Sequence, residues 1–258
     1  MVFYAVAGLA VIITGIAKAG FGGGVGIVAT PLMILVVPST EALGIMLPIL
    51  CVCDWFSIYH YRTTFDAANL YRMLPGAVLG ITVAGFFLGF ISKNQEDNLQ
   101  FWIGVISIAF VGYQLGKAWI LKELKDYHPK NWHGWLFGVT AGITSTMAHA
   151  AGPVATMFLL PQNLGRRLFV GTTVWFFTVV NAVKLIPYFY HGMINLERIS
   201  TSLVLLPLVP IGTFLGVWMN KNLNEQVFNA VIYTILFLIG LKLISGVDPI
   251  RFTYHLFT

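Results

Sequence analysis

Six apolar stretches, each close to the length that crosses a bilayer as a helix, constrain this chain more than any other feature: Glu41 to Tyr61, Leu70 to Ile91, Leu99 to Leu121, Arg167 to Tyr190, Leu196 to Met219 and Glu225 to Ser245. About 20 helical residues span the hydrocarbon core, and in lipid only helices or closed barrels satisfy their own backbone amides. Charge content agrees. The 258 residues include only 15 Lys and Arg and 10 Asp and Glu, against 57% hydrophobic residues, whereas a soluble domain is about 25% charged. A soluble enzyme, a disordered tail and a nucleic-acid binder are thereby excluded, because the net charge of +5 is spread thinly with no basic run able to track phosphates. The expected class is an all-α integral membrane protein with the lipid bilayer as its main partner. Cys51 and Cys53 sit inside an apolar run without a metal partner nearby, so they read as packing residues and no metal is expected there. Met1 to Ala19 has no basic residue before its apolar run and reads as a retained membrane segment, not a cleaved signal.

Two further regions are apolar but broken near their middles. Residues 2–37 are interrupted by Gly20-Phe-Gly-Gly-Gly-Val-Gly26, and 133–161 by Met147-Ala-His-Ala-Ala-Gly-Pro153. Each reads as a helix, an unwound stretch and a short second helix. The chain also repeats itself. Gly15 matches Gly142, Gly44 matches Gly171, and Gly85-Phe-Phe-Leu-Gly89 matches Gly212-Thr-Phe-Leu-Gly216 at a shift of 127, with Val28-Ala29-Thr30 and Asn69-Leu70 recurring at 126. A constant offset of half the chain implies duplication. Repeat 1 then covers 1–121 (broken region 2–37, spans 41–61, 70–91 and 99–121). A polar seam follows at 122–132, and repeat 2 covers 133–258 (broken region 133–161, spans 167–190, 196–219 and 225–245).

The seam carries Lys122, Lys125 and Lys130, the loop after the first long span carries Arg62 and Arg72, and Arg166 with Arg167 follow the second broken region. The positive-inside rule places all three on the cytoplasmic side. The second broken region then enters and leaves by one face. Three full crossings per half make the halves antiparallel, and inverted repeats with interrupted helices are the architecture of secondary transporters. A parallel duplication of four spans is the competing arrangement. Trp132, Trp135, Tyr127, Tyr188, Tyr190 and Tyr254 fall near span ends, where interfacial rings belong.

Unwound backbone in a bilayer costs several kcal/mol per unpartnered amide, so it persists where it lines a cavity or packs on protein. The cluster around Phe21, Gly22, Gly23 and Gly24 would let backbone N–H groups converge on an anion beside a short helix starting near Ile27. Close helix packing is the alternative, and it is preferred for isolated glycines such as Gly80 and Gly104.

These glycines, read as Lys18-Ala-Gly-Phe-Gly-Gly-Gly-Val-Gly26 with Thr30-Pro31, are followed by Leu47-Pro48 and Asp54, then by Ser145-Thr-Met-Ala-His-Ala-Ala-Gly-Pro153, Leu160-Pro161, Phe169-Val-Gly-Thr172, Asn181 and Lys184. In this order, from Gly15 to Leu243, they resemble the TauE/SafE family of sulfite and organosulfonate exporters. That resemblance implies a multi-span carrier in the cytoplasmic membrane for a small anionic substrate such as sulfite or sulfoacetate, without a cofactor. Ala151-Gly152 stands where Gly-Gly would be expected, which leaves that backbone less free.

Lys18 abuts the glycine turn, where a buried ammonium needs an anion; snorkelling to the interface is the bland alternative. Ser145, Thr146 and His149 fall at helical spacings, so hydroxyls and an imidazole could meet an oxyanion, although a histidine satisfied by a carbonyl is nearly as good a reading. Thr30, Gly152, Thr172 and Asn181 complete the candidate substrate site. Asp54 is the sole acid in the 43–61 run and Lys184 the sole base in the 168–190 run, and an Asp54–Lys184 ion pair between the halves is expected, either structural or with Asp54 carrying a coupling proton. Three activities remain distinct: export driven by the membrane potential at about 2.3 kcal/mol per charge per 100 mV, uptake coupled to a proton or sodium, and an intramembrane hydrolase with Ser145 as nucleophile and His149 as base. Self-association into a homo-oligomer is left open.

Overall fold

A computed structural model of the chain describes residues 2–20, 24–94, 96–123, 130–222 and 225–246. Among these residues the fold is entirely helical. The first broken region consists of α1 (Val2–Gly20), a 3-10 turn (Gly24–Val28) and the short α2 (Ala29–Ile34). Three long helices follow, α3 (Ser39–Tyr61), α4 (Ala67–Asn94) and α5 (Glu96–Glu123). The second broken region is α6 (Asn131–Ala148) and α7 (Ala151–Leu159) with a terminal 3-10 turn (Leu160–Gln162). The chain ends in α8 (Arg166–Tyr190), α9 (Leu196–Leu205), α10 (Leu208–Asn222) and α11 (Glu225–Ser245).

Five helices are long and apolar enough to cross a membrane, and α9 with α10 make a sixth when counted as one bent span. The bend is a departure from the unbroken 196–219 stretch read from hydropathy. The two arms meet at 43° around Leu206 and Pro207. The cause is Pro207, which has no N–H to donate and whose ring clashes with the carbonyl four residues back. Large apolar side chains such as Phe86, Phe87, Phe90, Trp102 and Phe214 stand exposed around the bundle, an arrangement that suits lipid and not water. Many threonine and serine hydroxyls inside the spans bond back to their own helices, as Thr14 does to Ala10 O (2.9 Å) and Thr146 to Gly142 O (2.8 Å), which removes the cost of a free O–H in an apolar medium.

Glycine sets the closest helix contacts. A Cβ built on Gly76 or Gly80 of α4 would lie 2.1 Å from Trp135 O or Val139 O of α6, and one on Gly138 or Gly142 of α6 would lie 2.1 or 2.3 Å from Met73 O or Ala77 O of α4. The same device joins α1 to α10, where Cβ atoms on Gly212 and Gly216 would meet Ile12 O and Ile16 O at 2.5 and 2.6 Å. Packing, as anticipated for Gly80, accounts for these glycines. Contacting numbers rise together in α4 and α6 and in α1 and α10, so each pair runs parallel. In α3 and α8 they run in opposite order, from Gly44 beside Met193 to Thr64 beside Gly171, so these two are antiparallel. The same holds for α5 and α11, where Gly104 faces Gly240 and Phe110 stacks on Tyr233.

Candidate functional site

The second break is built from the end of α6. His149 caps that helix in the left-handed conformation, at φ 52°, which costs a non-glycine residue about 1–2 kcal/mol and turns the chain sharply. His149 and Ala150 return their N–H groups to Ser145 O (2.9 Å) and Thr144 O (3.2 Å), and α7 starts one residue later. No side chain caps α7, and Pro153 at its third position has no N–H, so the amides of Ala151 and Gly152 have no partner among the described residues. Both residues line a cavity. The helix therefore offers its positive end to that space.

That cavity, of about 90 Å³, is shared by both breaks and both central helices. Lys18, Gly26 and Thr30 approach from the first break, and Ser145, His149, Ala151 and Gly152 from the second. From α3 come Met46, Leu50, Asp54 and Ser57, which are one face of a helix counted outward from Asp54. Thr173, Val174, Phe177 and Asn181 form the matching face of α8. Helical periodicity anchored on Asp54 and Asn181 would have found these lining residues, which the sequence reading did not single out.

Charges meet at the centre. Lys18 forms an ion pair with Asp54 and lies 3.5 Å from Leu50 O, while Asn181 donates its amide to the other oxygen of Asp54. Lys184 is fully buried and donates to Ser145 O (3.2 Å) and to Nδ1 of His149 (2.8 Å), and Nε2 of His149 donates to Leu43 O (3.1 Å). The expected Asp54–Lys184 pair is thus not formed. Lys18, at the end of α1, reaches the carboxylate first, and Lys184 turns toward the carbonyls exposed where α6 ends. Lys18 consequently points inward to the cavity instead of snorkelling.

The remaining predicted site residues separate. Thr146 is buried with its hydroxyl on Gly142 O, and its carbonyl accepts the Tyr188 hydroxyl at 2.7 Å, so it stands behind the cavity wall. Thr172 accepts from Asp66 N (2.8 Å) and donates to Leu168 O (2.7 Å), and its neighbour Thr173 lines the cavity in its place. Gly24 begins the 3-10 turn, so the first break continues into that turn and a six-residue helix, not a helix from Ile27. Phe21, Gly22 and Gly23 lie outside the described residues. Both ring nitrogens of His149 are committed to Leu43 and Lys184, which leaves none to activate the Ser145 hydroxyl. Among the described residues no group of His, Cys, Asp or Glu could hold a metal ion.

An apolar-surfaced helical bundle whose broken helices enclose a small charged cavity is a multi-pass membrane protein of the transporter class. Residues 7–243 match the family model described as sulfite exporter TauE/SafE. The chain belongs to that family, whose members are transporters of sulfur anions. Comparisons with curated proteins and with solved structures give no match.

Proposed function

We propose that the protein is a secondary transporter that exports a small sulfur oxyanion, sulfite above all, across the cytoplasmic membrane by alternating access. One observation carries this reading: the two helix breaks, distant in sequence, converge on a single cavity faced by an ammonium and a carboxamide, both on the Asp54 carboxylate, and by two helix-terminal amides. Donors of this kind, fixed in place in low dielectric, suit an anion. Size narrows the class. A water needs about 10–15 Å³ of such space, so a cavity of about 90 Å³ accommodates the four heavy atoms of sulfite with a few waters, and an extended organosulfonate such as sulfoacetate fits it less well.

The 127-residue offset makes α3 equivalent to α8 and α5 to α11, and each of these pairs is antiparallel where it touches. A parallel duplication would set equivalents parallel, so the contacts support inverted repeats that rock about the shared cavity. A negative interior assists exit of the anion.

The test uses purified protein in liposomes loaded with labelled sulfite, with sulfate, acetate and sulfoacetate as competitors, under imposed voltage. Saturable efflux that accelerates with the interior negative and falls at least about tenfold in Lys18→Ala is expected. Indifference to sulfite would end the substrate assignment.

A further inference from the structure

We propose that Asp54 is a tethered stand-in for the transported anion: it occupies Lys18 in the empty carrier and surrenders it when substrate arrives. The inference rests on the transport reading above and assigns a role within it. Its basis is the asymmetry of the pair. The Asp54 side chain is 4% exposed and the Lys18 side chain 21%, so the lysine, not the acid, is the accessible partner. Asp54 has a side-chain support besides Lys18, because Asn181 donates to its other oxygen, whereas the other partner of Lys18 is the Leu50 carbonyl at 3.5 Å. When Lys18 swings to a bound oxyanion, the carboxylate keeps this hydrogen bond and is not stranded. All three side chains line the same cavity, so an incoming anion meets Lys18 where the carboxylate already holds it.

The other charged or titratable groups around Asp54 are Lys184 on α8, His149 at the second break, and Cys51 and Cys53 on α3 itself. Lys184 and His149 bond to each other and to the carbonyls of Ser145 and Leu43, so no other described cation competes with Lys18 for the carboxylate.

Two consequences follow from this exchange of counter-ions. The carboxylate competes with substrate, which weakens anion binding. It also lets the cavity close when empty, since a lone ammonium enclosed in low dielectric is strongly unfavourable. Asp54 is then needed for return of the empty carrier and not for exchange, in which the carrier crosses loaded both ways.

The full-length protein in liposomes tests this with labelled sulfite, measured as net efflux and as sulfite–sulfite exchange. In Asp54→Asn the half-saturating sulfite concentration for exchange should fall about tenfold, while net efflux should fall about tenfold with exchange retained. The double variant Lys18→Gln/Asp54→Asn, neutral when empty, should melt within a few degrees of wild type and lose exchange. Equal loss of exchange and net efflux in Asp54→Asn, or an unchanged half-saturation, would overturn the proposal. Melting temperatures titrated with sulfite and with sulfate read the same competition without transport. There Asp54→Asn should respond at about tenfold lower anion concentration than wild type, and an equal response overturns the inference. A wild-type chain that does not exchange sulfite would refute the functional reading, with Asp54 still decided by this titration.

Discussion

Removing His149 should destabilise the protein more than removing its partner Lys184. Lys184 has two hydrogen bonds, to His149 Nδ1 at 2.8 Å and to Ser145 O at 3.2 Å, and is fully buried. Truncation in His149→Ala leaves a buried amine on a single carbonyl, at about 1–3 kcal/mol and more where it is charged, and leaves the space of the lost ring unfilled. In Lys184→Met the chain length is kept and Ser145 O retains the His149 N–H at 2.9 Å. Only the imidazole nitrogen is orphaned, at about 1–3 kcal/mol. The double variant removes both polar partners, so it should be no worse than His149→Ala and the cycle should show a coupling of about 1–3 kcal/mol. Thermal unfolding in detergent, followed by tryptophan fluorescence on all four proteins, measures the order. A Lys184→Met variant as unstable as His149→Ala, or strictly additive effects, would refute the pairing as the source of the effect.

Gly138→Ala would place its Cβ 2.1 Å from Met73 O, whereas Gly112→Ala meets nothing within 4 Å; the first should lower stability by about 1–3 kcal/mol and the second should not, as read by melting temperature. Tyr188→Phe deletes the 2.7 Å bond to Thr146 O and should cost about 1 kcal/mol, with a larger loss in Tyr188→Ala from the cavity it opens. Thr172→Val removes the acceptor of Asp66 N, a link between the α3–α4 loop and α8. It should cost about 1 kcal/mol and leave anion-induced stabilisation unchanged, because Thr172 does not line the cavity.

Much of the helical framework could be read from the sequence because lipid imposes a length and a hydropathy on every crossing segment. The two breaks were equally visible, through glycine in the first and the His149 to Pro153 run in the second. The bend at Pro207 escaped, since hydropathy is blind to the angle between two apolar arms. Pairing of the charged groups also escaped. Asp54 and Lys184 were each recognised as needing a partner, but which ammonium reaches the carboxylate depends on where α1 ends relative to α3, a tertiary fact. His149 shows the same limit. Spacing of four from Ser145 suggested a shared helical face, but the helix ends at Ala148 and the imidazole turns to Lys184 and Leu43 instead. Ser57, Thr173 and Phe177 carry no signal of their own and become visible only once the faces around Asp54 and Asn181 are fixed.

The repeat offset gives the charged cavity a simple logic. Shifted by 127, Lys18 falls on Ser145, Asp54 on Asn181 and Ser57 on Lys184. Each half therefore places one lysine beside its own broken helix, but from opposite partners: Lys18 projects from the broken region toward Asp54 on the long span, and Lys184 projects from the long span toward Ser145 at the end of the broken region's first arm. Among the described residues facing the cavity, Asp54 of the first half is the one carboxylate. The cavity is thus faced by one lysine, one acid and one carboxamide, with Lys184 turned away to Ser145 O and His149, and the neutral Asn181 at the position offset from the acid donates to Asp54. A second acid at 181 would leave two carboxylates around Lys18 and repel an anion, and no acid at 54 would leave Lys18 enclosed without a counter-ion. On the counter-ion exchange proposed above, a single carboxylate is what would let the cavity close when empty and take an anion when open.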